Sequence, residues 1–150
     1  EAKLELVRTR LPDGLKMGNL HWGGGTPTIL PPQMIHRLSK AIRRAFPPTD
    51  ALEFSVEIDP TMVDRAKIDA LAAEGVNRAS IGIQDFNPEV QNAIGRLQPF
   101  DVTRVCVEDL RAAAAVLSGR RATCTRVCRS LCAAFKPARR PGLALSCRAQ

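Results

Sequence analysis

Residues 1–116 predict an α/β fold: a parallel sheet of βαβ units forming part of a (β/α) barrel. Three observations carry this expectation. Strand-like and helix-like segments alternate along the chain, which favours parallel pairing through helical crossovers. The strand-like segments run out into glycines and polar residues, the composition of barrel strand ends where sites are built. The 150 residues can bury a core, yet fall short of the roughly 200 or more of a closed barrel, so only part of one is expected.

The first strand is expected at Asn19 to Trp22, leading into Gly23-Gly24-Gly25. Pro31 and Pro32 open a helix on which Ile35, Leu38 and Ile42 repeat at helical spacing, and Phe46-Pro47-Pro48 close it. The apolar, β-branched run Leu52 to Asp59 reads as the second strand. Thr61 is the expected cap of the next helix, with Asp64 in its first turn and Gly75 as its stop. A third strand spans about Arg78 to Gln84, and Asn87-Pro88 supplies the cap and first turn of a short helix through Ile94. The last helix is expected after Asp101, with Val102, Val105, Cys106 and Leu110 on its apolar face. No strand is expected past Ala115, where the apolar periodicity fades.

Residues 117–150 form a second composition. Eight of the 22 basic residues lie there with no acidic one, so the formal charge of +7 belongs to this segment and residues 1–116 are close to neutral. A charge-based reading toward nucleic acid or membrane therefore applies to the tail alone. Four of the five cysteines also lie there, at positions 124, 128, 132 and 147. The mixture resembles a GC-rich coding sequence read out of frame; the other reading is a basic segment that is disordered or folds on a nucleic-acid partner. Cys124-x3-Cys128-x3-Cys132 is read as a coincidence of that composition. No apolar run is long enough to cross a bilayer, and a soluble, cytoplasmic protein is expected.

Candidate chemistry lies at the strand ends. The three glycines allow close backbone approach to a ligand, with Thr26 adding a hydroxyl; the other reading is a plain strand-to-helix turn. Neither G-x-G-x-x-G nor G-K-[ST] is present, which excludes the usual nucleotide fingerprints. Glu57, set between Val56 and Ile58, reads as a buried carboxylate needing a ribose hydroxyl, an ammonium group or an arginine, or else as one end of a salt bridge to a neighbouring strand. Gln84 suits an adenosine or amino-acid group, or caps the following turn. Arg96 can grip a carboxylate with two donors, or stand as a surface arginine. His21 and Trp22 read as a hydrogen-bonded histidine and a core aromatic.

HWGGGTPT (21–28), SVEIDP (55–60), GVNRASIGIQDFNPEVQNAIGR (75–96) and QPF (98–100) together resemble the oxygen-independent coproporphyrinogen III oxidase (dehydrogenase) family of the radical S-adenosylmethionine superfamily. The resemblance spans residues 1 to 113. The related haem chaperones tend toward E-x-N-P and Q-S-F where this chain has Asp59 and Asp85, which favours the oxidase branch; Leu97 departs from the acidic residue common after the arginine.

The resemblance implies a barrel of the radical S-adenosylmethionine type, with Gly24, Gly25, Thr26, Glu57, Gln84 and Arg96 as cofactor contacts. It implies a [4Fe-4S] cluster, an electron donor and a second S-adenosylmethionine in the site. The implied substrate is coproporphyrinogen III, two propionates of which become vinyl groups through 5′-deoxyadenosyl radical chemistry, giving protoporphyrinogen IX in anaerobic haem synthesis by a monomeric enzyme. The family's cluster motif, C-x3-C-x2-C, lies ahead of the glycines, where residues 1–20 carry no cysteine. The expectation is therefore a fragment, inactive alone, that lacks the first barrel strand with its cluster loop and the later strands.

Overall fold

The computed structural model describes residues 2–116 and 123–124. In chain order these form α1 (Ala2–Arg8), β1 (Met17–Trp22), a 3-10 turn (Pro27–Ile29), α2 (Pro32–Ala45), β2 (Pro48–Ile58), α3 (Arg65–Ala73), β3 (Arg78–Ile81), α4 (Pro88–Ala93), α5 (Phe100–Val116) and β4 (Thr123–Cys124). The strands make one parallel sheet in the order β1-β2-β3-β4, with Leu20 beside Phe54, Val56 beside Ala79 and Ala79 beside Cys124.

This order decides the shape of the site. Parallel crossovers are right-handed, so strands added one after another in the same direction place every crossover helix on the same face of the sheet. The helices accordingly stand in a row, α1 against α2, α2 against α3 and α3 against α5. Residues facing them are buried: Trp22, Leu52, Phe54, Val56, Ile58, Ala79 and Ile81, packed with Ile35, Ile42, Leu71, Cys106 and Val107. Phe54 is fully buried, and Trp22 meets it edge to face with centroids 5.1 Å apart. The other face carries Asn19, His21, Glu53, Ser55, Glu57, Arg78 and Ser80, all polar and none buried. In a barrel this is the interior face.

Several expectations change in detail. Glu57 is not buried: successive strand residues point to opposite faces, and its side chain stands 53% exposed on the polar one. Thr61 does not cap α3, because its N–H and hydroxyl both donate to Asp59 Oδ1, at 2.9 and 2.7 Å, closing a turn on the strand end. Asp64 is the cap instead, accepting from the Lys67 amide at 2.9 Å. β3 ends at Ile81, leaving Gln84 beyond the strand. On α5 the buried side chains are Thr103, Cys106, Val107 and Ala113, whereas Val102 and Val105 are exposed.

A strand does follow α5. Thr123 and Cys124 pair with Arg78 and Ala79, because the parallel order leaves the far edge of β3 open to the next segment of chain. The remainder of 117–150, on which the out-of-frame and basic-tail readings fall, lies outside the described residues.

Candidate functional site

The C-terminal ends of β1, β2 and β3 enclose a pocket of about 340 Å³. Its lining is Gly25, Thr26 and Pro27 from the loop after β1, Glu57, Ile58 and Asp59 from the end of β2, Ser80, Ile81 and Gly82 from β3 and its exit, and Arg96 beyond α4.

The glycine loop is shaped by a left-handed residue at Gly24, φ +77°, which no L side chain adopts without strain. The ideal Cβ positions at Gly24 and Gly25 meet nothing within 4 Å, so this stretch of backbone is open to a ligand. Thr26 leads into the 3-10 turn, and Lys67 pins that turn by donating to the Thr28 carbonyl at 2.8 Å. A Cβ at Gly23 would overlap the end of the His21 side chain, which would have to turn aside.

Arg96 is placed by a polar clamp. Gln91 is buried on α4; its side-chain amide donates to the carbonyls of Asp85, at 2.8 Å, and Gln98, at 2.9 Å, and accepts from the Gln98 amide at 2.9 Å. The buried Gln98 in turn donates to Thr103 on α5 at 3.2 Å. α4 itself starts as expected, with Asn87 accepting from the Glu89 amide at 2.9 Å. The guanidinium of Arg96 then reaches back over β3, donating to the Gly82 carbonyl at 3.3 Å and approaching Asp59 Oδ2 at 3.9 Å.

Of the six residues singled out in the sequence, the pocket lining thus gathers Gly25, Thr26, Glu57 and Arg96. Gly24 and Gln84 stand outside it. Asp85 serves a turn, its carboxylate accepting from the Asn87 amide at 2.8 Å. His21 and Trp22 behave as read: His21 Nδ1 is 2.8 Å from Ser55 Oγ, and Trp22 is in the core. Sequence reasoning passed over Ser80, Gly82 and the Gln91 clamp. For Ser80 the available signal was strand parity, which puts it beside Glu57 in the sheet register.

The donor set is one guanidinium, two carboxylates, two hydroxyls and free backbone groups. It fits a ligand bearing a carboxylate, an ammonium group and vicinal hydroxyls, which is the functional-group content of S-adenosylmethionine. It does not fit an iron–sulfur cluster, which needs thiolates. Residues 2–113 hold a single cysteine, Cys106, buried in the α5 core contact. Among the described residues no group of His, Cys, Asp and Glu is placed to bind a metal, and no helix is long and apolar enough to cross a membrane.

Comparison with known proteins shows the family. The model of the radical SAM superfamily matches residues 4–118. The chain is 64% identical over 109 residues to the anaerobic coproporphyrinogen III oxidase 1 of Cereibacter sphaeroides, covering 73% of this chain and 24% of that protein. It is 46% identical over 91 residues to the oxygen-independent coproporphyrinogen III oxidase of Escherichia coli, covering 61% and 20%. Among solved structures, the E. coli coproporphyrinogen III oxidase, a radical SAM enzyme, superposes with a TM-score of 0.70 at 35% identity, over 82% of this chain and 28% of that one. The chain spans about a quarter of the length of the curated relatives it matches. A parallel sheet with its helices on one face, a polar pocket at the strand ends and this match together show that the chain belongs to the radical SAM superfamily.

Proposed function

We propose that residues 2–113 are the S-adenosylmethionine-binding part of an oxygen-independent coproporphyrinogen III oxidase. The observation that carries this reading is the convergence of Gly25, Thr26, Glu57, Asp59 and Arg96 on one pocket, in a chain 64% identical to a protein of that name. When bound, S-adenosylmethionine supplies the hydrogen-abstracting chemistry by which two propionates of coproporphyrinogen III are oxidatively decarboxylated. The residues of this chain bind and orient. Arg96 presents its fork to the ligand carboxylate, and Glu57 accepts from a ribose hydroxyl or the ammonium group. The backbone at Gly25 and the Thr26 hydroxyl line the opposite wall, and Gly24, just outside the lining, gives the loop its turn. Gln84, on the exposed segment past β3, completes the set. The described residues do not supply a cluster site, so the cluster and the electron donor belong to the reaction of the whole enzyme, which in this reading works in the cytoplasm.

Asp59 supports the oxidase branch over the haem chaperones. Of the two positions that separate their motifs, Asp59 lies in the pocket wall and faces Arg96, while Asp85 closes a turn. Isothermal titration of the 150-residue chain with S-adenosylmethionine tests the binding. Saturable binding that weakens in Arg96→Ala and in Glu57→Gln is expected; no binding, or binding indifferent to both substitutions, overturns the assignment. For the reaction, residues 4–113 replace the matched segment of the Cereibacter relative. The chimera is expected to convert coproporphyrinogen III, and a folded, cluster-loaded chimera without that activity refutes the substrate.

A further inference from the structure

Three side chains on the polar face of the sheet form a chain that ends at the pocket. His21 on β1 lies beside Ser55 on β2 in the sheet register, and its Nδ1 is 2.8 Å from Ser55 Oγ. Glu57 is the next residue along β2 on the same face, and its Oε1 is 3.9 Å from His21 Nε2. A Cβ on Gly23 would overlap that imidazole and stand 3.3 Å from the Glu57 carboxyl carbon. The first glycine of the loop therefore leaves the room in which the histidine and the carboxylate meet.

The distances bear on where the protons lie. Ser55 has one hydroxyl proton and two acceptors in reach, His21 Nδ1 at 2.8 Å and the Leu20 carbonyl at 3.4 Å. The shorter contact is an ordinary O–H···N length, and the longer lies past the range of a good O–H···O bond. Two arrangements satisfy these contacts: Ser55 donates to an unprotonated Nδ1, or Nδ1–H donates to Ser55 Oγ while the hydroxyl donates to the Leu20 carbonyl; the short first contact against the long second favours the former. A neutral imidazole that accepts at Nδ1 carries its own proton on Nε2, the nitrogen that faces Glu57.

We propose that His21 is a positioning residue for Glu57. Ser55 sets the tautomer, and His21 turns its Nε2–H toward one carboxylate oxygen of Glu57. That oxygen is drawn to the sheet, and the carboxylate presents its other oxygen to the ligand in the pocket. The charged groups around the pair are Glu57 itself, Asp59 and Arg96 at the pocket, and the Glu53–Arg78 ion pair, closed at 2.9 Å, whose arginine lies beside Ser55 in the sheet register. His21 and Glu57 are both more than half exposed, so the effect is that of a solvated polar pair.

This inference rests on the proposed S-adenosylmethionine site for its ligand, but its first test does not. Long-range nitrogen–proton correlation spectra of the chain labelled with 15N-histidine report which ring nitrogen carries the proton, with His36 as the internal comparison. His21 is expected as the Nε2–H form, moving toward a mixture in Ser55→Ala. An Nδ1–H form in the unsubstituted chain, or no response to Ser55→Ala, overturns the proposal. In titrations with S-adenosylmethionine, His21→Ala is expected to weaken binding about three- to fivefold, the range of an exposed polar pair. In the Glu57→Gln background the same substitution is expected to cost nothing further, because the two act as one unit. Additive losses overturn the coupling. Ser55→Ala retains the imidazole itself and should give a smaller loss of the same kind, separating positioning from misfolding. If the unsubstituted chain does not bind S-adenosylmethionine, the site assignment fails while the tautomer spectra still decide the role of His21.

Discussion

Arg96 and Asp59 reach the same pocket from opposite directions, their nearest atoms 3.9 Å apart. Asp59 directly follows β2 and is already engaged by the amide and hydroxyl of Thr61. Arg96 arrives from beyond α4 and rests one nitrogen on the Gly82 carbonyl. The pair is therefore a loose gate between two independently supported loops, and the guanidinium keeps donors to spare for a ligand carboxylate.

Removing that fork should separate binding from stability. Arg96→Ala is expected to weaken S-adenosylmethionine binding by about tenfold, as for a charge-assisted contact that is part solvated, while changing folding stability by no more than about 0.5 kcal/mol. Arg96→Lys should fall between, since it keeps the charge and loses the planar fork. Calorimetric titration and urea unfolding on the same samples check both halves.

Gln91 holds the segment that delivers Arg96. Gln91→Ala is expected to lower stability by about 2 kcal/mol, because the buried carbonyl and amide of Gln98 lose their partner. Faster hydrogen exchange at the Gln98 amide and weaker ligand binding should accompany it, although Arg96 itself is untouched. An unchanged exchange rate at Gln98 would show that the clamp is not what holds the segment.

The core predicts its own hierarchy. Phe54 has no exposed surface and packs on Trp22, so Phe54→Ala should cost about 3 to 5 kcal/mol, enough to unfold much of the population in thermal melts.

Gly75 ends α3 with φ +80°. Gly75→Ala is expected to cost about 1 kcal/mol in urea unfolding through backbone strain alone. Ligand affinity should be unchanged, because Gly75 is remote from the pocket lining.

The alternation of strand and helix was legible because each element carries its own local signal: the paired prolines before α2, Asn87-Pro88 before α4, Gly75 after α3. What lay between them was less so. Glu57 looked buried from its apolar neighbours, since a strand with one polar face and one apolar face has the same composition as one covered on both sides. Thr61 and Asp64 are both good caps, and only the turn at Asp59 decides between them. Gln91 carried no sequence signal at all; its worth depends on Gln98, seven residues away, folding back over it. Three of the six candidate site residues, Gly25, Thr26 and Glu57, meet because strand ends meet. Arg96 reaches them by a longer path, past α4.

The division of the sheet into a helix-facing set and an open-facing set has a consequence for how such a chain can change. Positions 53, 55, 57 and 80 can exchange one polar group for another without repacking Phe54, Val56 or Ile81, because the two sets share backbone and little else. A single inserted or deleted residue within β2 has the opposite effect, sending Glu53, Ser55 and Glu57 into the helix layer together. Substitution can thus retune the chemistry of this surface in small steps, while a change of length in the strand ends it in one.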